Sequence, residues 1–153
     1  MSRLILVVLT VVSPLFALAA PVPKAKTPEV DIRDPDGKVL LAADDLVSYD
    51  WATHTLTLKD GAKEPFAKAL KAAKRFAVCI DGKPAMDGQY VPPSVSSTRK
   101  GPVISLLDGG EGKECVVTME GGYPGLREGD PDKRDVKGLK DALEKAGKLK
   151  AGK

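Results

Sequence analysis

Between Leu46 and Ile80 the spacing of apolar residues changes twice, and this double change narrows the fold more than any other feature of the chain. Thr53-His54-Thr55-Leu56-Thr57-Leu58 alternates strictly, the period of a strand with one buried face. Leu46-Val47-Ser48-Tyr49 reads as the strand before it, with Asp50-Trp51-Ala52 as the hairpin connection. From Glu64 to Lys74 the period becomes helical: Phe66, Ala69, Leu70 and Ala73 fall at i, i+3, i+4 and i+7, and Lys63, Lys68, Lys71 and Lys74 lie off that stripe. Arg75 to Ile80 returns to strand and stops at Asp81-Gly82, where glycine supplies a turn. A helix between strands, apolar on one side only, must lay that side on a sheet, so the class is α+β.

The flanks extend the sheet. Val30-Asp31-Ile32 is a short strand, Asp34-Pro35-Asp36-Gly37 a turn, and Val39-Leu40-Leu41 the returning strand. Lys83 to Pro102 is a polar Pro/Ser/Gly stretch interrupted by Gln89-Tyr90-Val91, and Val103–Leu107 with Cys115–Met119 forms a hairpin across 108–113. Gly121–Lys133, rich in Gly, Pro and Asp, reads as a linker. A last helix runs from about Asp135 to Leu149, with Val136, Leu139, Leu143 and Ala146 on one stripe and Gly138 and Gly147 weakening it. The expected architecture is an antiparallel or mixed sheet of about five or six strands carrying one helix, plus a C-terminal helix. Its parts are a domain over 30–120, a linker over 121–133 and the helix over 134–150.

Ahead of the domain stands the pattern of a secretory signal peptide: Arg3 as the positive end, an apolar run from Leu4 to Leu18, and Ala17-Leu18-Ala19 as a small-x-small cleavage site. The run is short for a membrane span and carries Ser13-Pro14. Residues 1–19 are therefore expected to be removed, residues 20–29, with Pro21, Pro23 and Pro28, to form an extended leader, and the product to be secreted or periplasmic without a transmembrane segment. An oxidising compartment permits Cys79 and Cys115 to pair, which would contribute roughly 3 to 4 kcal/mol by closing a long loop.

Charge is nearly balanced, 24 basic against 21 acidic residues. That balance gives no electrostatic case for nucleic acid as a partner. The one basic concentration along the sequence is Lys145, Lys148, Lys150 and Lys153, which suits a solvated helix end.

Chemistry-bearing residue types gather in one place, Ser48 to His54. His54 is the sole histidine, and with Asp50 orienting it an imidazole can serve as a general base. The plainer reading makes His54 part of a half-buried strand, with Tyr49 and Trp51 covering the core or offering a binding surface. Metal ligation lacks its spacing: one histidine and two distant cysteines make no zinc site, and a calcium loop with Gly37 in sixth place would set Ile32 and Ala43 where oxygens belong. No nucleophile elbow or phosphate-cradling glycine loop is present, and no motif calls for a cofactor.

The run Phe76-Ala77-Val78-Cys79-Ile80-Asp81-Gly82-Lys83-Pro84, followed by Pro102-Val103-Ile104, resembles the periplasmic head of the SecD protein-export subunit over residues 46–107. The resemblance implies a sheet with a helix on one face. The membrane channel with which that head works has no counterpart in this sequence, so its motor function is not implied.

The sequence points first to a non-enzymatic cell-envelope or extracellular binding module, its partner an envelope component or another protein. Two other classes compete: a small hydrolase using His54 and Asp50, and a structural accessory docking through Val136, Leu139 and Leu143.

Overall fold

The computed structural model describes residues 26–95, 97–106 and 115–150, so the signal peptide over 1–19, most of the 20–29 leader and the 108–113 hairpin loop lie outside the described residues. The class is α+β, with two helices and nine strands among the described residues. In chain order these are β1 (Val30–Arg33), β2 (Val39–Leu41), a 3₁₀ turn (Ala43–Asp45), β3 (Leu46–Asp50), β4 (Thr55–Leu58), α1 (Lys63–Ala73), β5 (Arg75–Ile80), β6 (Lys83–Tyr90), β7 (Arg99–Ile104), β8 (Val116–Tyr123), α2 (Lys137–Lys145) and β9 (Leu149–Lys150). They join in one mixed sheet, β2-β1-β5-β6-β7-β8-β4-β3-β9, parallel only at β6–β7 and β3–β9.

Local chemistry fixes the turns. Between β1 and β2, Asp34 Oδ1 accepts the N–H groups of Asp36 at 3.0 Å and Lys38 at 2.8 Å, and Gly37 takes the left-handed φ of +85°. The Asp34 and Asp36 pair thus belongs to a turn. Between β5 and β6, Asp81 (φ +50°) and Gly82 (φ +76°) form the two-residue, doubly positive-φ turn that matches strand twist. In β3 the pairing slips between Leu46 and Ser48, so that Leu46 and Tyr49, three apart, are both buried.

The sheet has more strands than the five or six expected, because β6 and the first part of β7 lie within the Pro/Ser/Gly stretch over 83–102 read as loop, only Val103 and Ile104 of β7 falling in a segment read as strand. Neither alternates in hydrophobicity; sheet neighbours hold them in place. Phe76 on β5 faces Gly88 on β6 and its ring occupies the space above that glycine: an added Cβ would stand 2.2 Å from Phe76 Cζ.

The chain's end also departs from expectation. The expected linker is partly strand, since β8 continues to Tyr123, and the expected helix is shorter. Gly147 (φ +67°) stops α2, with Lys148 N–H donating to Leu143 O at 2.8 Å and Gly147 N–H to Glu144 O at 2.9 Å. The two residues of β9 then pair with β3, and Tyr49 N–H donates to Lys148 O at 2.7 Å. The Lys148 ammonium is no solvated helix end: it donates to the carbonyls of Ala43 and Leu46, and burial lowers its pKa.

One core joins these parts. Phe66 and Leu70 from α1, which packs on β2 and β5, and Leu139, Ala142 and Leu143 from α2 belong to the same buried cluster as Val78, Ile104 and Met119. Leu41 and Tyr49, from strands near opposite ends of the sheet order, line with Leu139 and Leu143 a void of about 10 Å³. The sheet therefore curls around α2. Leu139 and Leu143 are each 1% exposed, so the stripe offered as a docking face is occupied by the chain itself. No helix among the described residues is long and apolar enough to cross a membrane.

Cys79 and Cys115 are free thiols. The pairing that the sequence left possible is not formed, and topology gives the reason: Cys79 lies on β5 and Cys115 just ahead of β8. Three strand steps, roughly 14 Å along the sheet, separate those strands, against a Cα–Cα span of about 4.4–6.8 Å in disulfides.

Candidate functional site

The Ser48–His54 segment folds into β3 and a tight turn. Asp50 Oδ1 accepts the N–H groups of Ala52 at 2.9 Å and Thr53 at 3.1 Å, which closes the turn and brings His54 to a left-handed φ of +50°. The carbonyl of His54 accepts Met119 N–H at 2.9 Å and ties the turn to β8. Asp50 thereby closes the turn with its carboxylate, and the His54–Asp50 dyad that the sequence offered as an alternative is not formed.

His54 instead meets Tyr49, whose hydroxyl lies 2.8 Å from Nδ1, and Trp51, whose ring centroid is 5.6 Å away. On its other side Nε2 stands 3.9 Å from Asp132 Oδ2, an electrostatic neighbour beyond hydrogen-bond distance. Asp132 is gripped by Arg134 through Nε at 2.8 Å and a terminal nitrogen at 2.6 Å, while the remaining guanidinium nitrogen donates to Met119 O at 2.8 Å.

These contacts set the charge states. Burial chiefly, and then the Arg134 cation, lower the pKa of His54; Asp132, Asp135 and Asp50 oppose this less strongly. Burial raises the pKa of Tyr49. The hydrogen bonds from Arg134 hold Asp132 at about 2. From this network we assign Tyr49 O–H as donor to Nδ1, which leaves the imidazole proton on Nε2 toward the carboxylate.

A neutral imidazole with an anchored carboxylate nearby has the makings of a base, yet it is almost closed to solvent. His54 is 7% exposed and Tyr49 3%, and neither ring lines the open clefts of about 240, 630 and 370 Å³. Tyr49 is a core residue, not a binding surface. Trp51 is half-buried, with Lys140 Nζ 5.6 Å from its ring centroid. The sequence grouped Tyr49, Trp51 and His54 in one segment, but Asp132, in the stretch read as linker, and Arg134, at the start of the segment read as helix, carry no pattern that announces them.

The open concave surface lies elsewhere. A cleft of about 240 Å³ runs between β7, β8 and the segment after β8, with Arg99, Lys100, Arg127 and Lys133 on its walls. Glycine makes it: a Cβ on Gly122 would stand 2.8 Å from Gly125 O, and one on Gly121 would stand 3.1 Å from Leu126 Cδ1. Gly125 N–H donates to Gly122 O at 3.1 Å, the Tyr123–Pro124 bond is cis, and the chain folds back so that Leu126 and Arg127 face the cleft. Lys100 Nζ lies 3.8 Å from Asp130, an exposed pair that neutralises part of the wall. Arg127 donates to Thr98 Oγ1 at 3.1 Å.

A second, larger cleft of about 630 Å³ adjoins the first and shares Lys100, Gly101 and Lys133 with it. It adds Arg75, Asp87 and Gln89. Five cationic side chains scattered from 75 to 133 are thus gathered by the order β5-β6-β7-β8, and the C-terminal lysines are not the sole basic concentration. No protein-family model, curated protein or solved structure matches the chain.

Proposed function

We propose that the protein is an exported, non-enzymatic binding module whose ligand is an anion held in the cleft between β7, β8 and residues 125–133. The observation that carries this reading is the convergence of Arg99, Lys100, Arg127 and Lys133 on a concave surface, which Gly121 and Gly122 shape by letting residues 125–127 fold back against β8. Arginine forks and lysine ammonium groups together recognise carboxylate, phosphate or sulfate. A hydrolase built on His54 lacks both an oriented partner in Asp50 and an open path to the imidazole.

Thermal unfolding in phosphate against chloride at equal ionic strength tests the reading. A ligand of the folded state raises the midpoint by mass action. Phosphate is expected to raise the wild-type midpoint and to lose most of that effect in the Arg127→Gln/Lys133→Gln variant. An equal rise in both proteins would reduce the effect to the general action of a kosmotropic salt and defeat the proposal.

A further inference from the structure

We infer that the two adjoining clefts form one groove for an extended acidic polysaccharide, an inference that rests on the anion-binding reading above and names its ligand class. Size is the first argument. The clefts measure about 240 and 630 Å³ and share Lys100, Gly101 and Lys133 as a common waist. A single small anion occupies space comparable to a few waters, about 30 Å³ each, and leaves most of such a groove unfilled.

Charge spacing is the second. Arg75 stands on β5, Arg99 and Lys100 on β7, and Arg127 and Lys133 on the segment beyond β8. The cations therefore cross three strand steps, roughly 14 Å along the sheet. One phosphate or carboxylate cannot reach both ends. A chain bearing an acidic group on successive units can.

The remaining lining chooses among polyanions. Carboxylates stand among the cations, Asp130 in the first cleft and Asp87 in the second, with Gln89 beside the latter. They repel a ligand of dense, continuous charge but accept hydrogen bonds from hydroxyl groups. Neither cleft has an aromatic side chain on its wall, so the stacking platform that holds single-stranded nucleic acid is missing there. Separated acidic groups, intervening hydroxyls and no bases describe an acidic polysaccharide.

Isothermal titration with a galacturonate hexamer, the galacturonate monomer, a polyphosphate and an oligothymidylate of comparable length tests this, with Arg75→Gln marking the far cleft. Arg75 is exposed, so its substitution leaves the core intact. The hexamer is expected to bind about ten-fold more tightly per uronate unit than the monomer. Arg75→Gln should weaken the hexamer about five-fold, the scale of one exposed ionic contact, and leave the phosphate effect on the unfolding midpoint unchanged. Equal affinity per unit, with Arg75→Gln inert while phosphate still shifts the midpoint, overturns the groove and spares the single cleft. Tighter binding of polyphosphate or oligothymidylate overturns the polysaccharide. Absence of every anion effect, phosphate included, overturns the anion-binding reading itself.

Discussion

His54 is held neutral by the same burial that closes it to substrate, and this gives the protein a pH dependence that does not involve binding. Its folded pKa lies below the ordinary 6.5, mainly because burial disfavours the imidazolium. The unfolded chain therefore takes up a proton at this ring more readily than the folded one. The contribution to stability is fully present above pH 6.5 and is lost as pH falls from there through the folded value. Asp132 behaves likewise at lower pH: its pKa falls from 3.8 to about 2 in the fold, so its contribution holds above 3.8 and is lost as pH falls through about 2. Urea unfolding at pH 7.5, 6.5 and 5.5 should show declining stability in the wild type and a flatter profile in His54→Asn, whose asparagine tolerates the left-handed backbone at this position. An unchanged slope in the variant would mean that His54 is not the titrating group. The turn that carries His54 was legible in the sequence from Asp50-Trp51-Ala52, although the alternation from Thr53 assigned His54 itself to the strand, which begins only at Thr55. The partner of His54 was not legible, because Asp132 approaches from a segment whose Gly, Pro and Asp content looks like a free linker until Arg134 is seen fastening it to Met119 O.

Elements carrying their own hydrophobic period were readable; those held by neighbours were not. The strand β5 and the helix α1 appear in the sequence almost to the residue, because Phe76 and Val78, and Phe66 and Leu70, recur at the period of the element that buries them. The strands β6 and β7 contain Pro84, Gly88 and Pro102 and take their conformation from pairing, with Gly88 admitting the Phe76 ring. Gly88→Ala should therefore destabilise the protein by about 1–3 kcal/mol through overpacking, seen as a lower urea midpoint at unchanged m-value. Gly138→Ala on α2, where nothing stands within 4 Å of the added carbon, should instead be neutral or stabilising by up to about 1 kcal/mol. The helix α2 was legible as a stripe, but a stripe does not say what covers it. With Leu139 inside the core, Leu139→Ala should cost about 2–5 kcal/mol. A helix that served an outside partner would show no such loss on truncation.

At the scale of the whole molecule, one strand order both gathers the cations of the groove and separates the cysteines. Overall charge conceals the groove: 24 basic and 21 acidic residues read as balanced, and only the adjacency of β5, β6, β7 and β8 puts Arg75, Lys100 and Arg127 along one surface. Linear spacing carries no trace of that arrangement. The same adjacency leaves Cys79 and Cys115 on strands with β6 and β7 between them. Cys79 is buried, its thiol 3.8 Å from Ala77 O, and burial raises its pKa, which keeps it protonated and poorly reactive. Cys115 lies at the start of β8, its thiol 3.7 Å from Asp60 Oδ1 and its carbonyl accepting Leu58 N–H at 2.7 Å. Joining the two sulfurs would require breaking the β5–β6 or β7–β8 ladder, at a cost beyond the roughly 3 to 4 kcal/mol that such a bond can return. Alkylation in denaturant without reductant should therefore label both cysteines of the purified protein, and added reductant should leave the unfolding midpoint where it was. Protection of both thiols until reduction would place β5 beside β8 and refute this strand order. Native-state alkylation resolves the two positions: Cys115, the less buried, should react first, and Cys79 only at the rate at which the β1–β5–β6 part of the sheet opens.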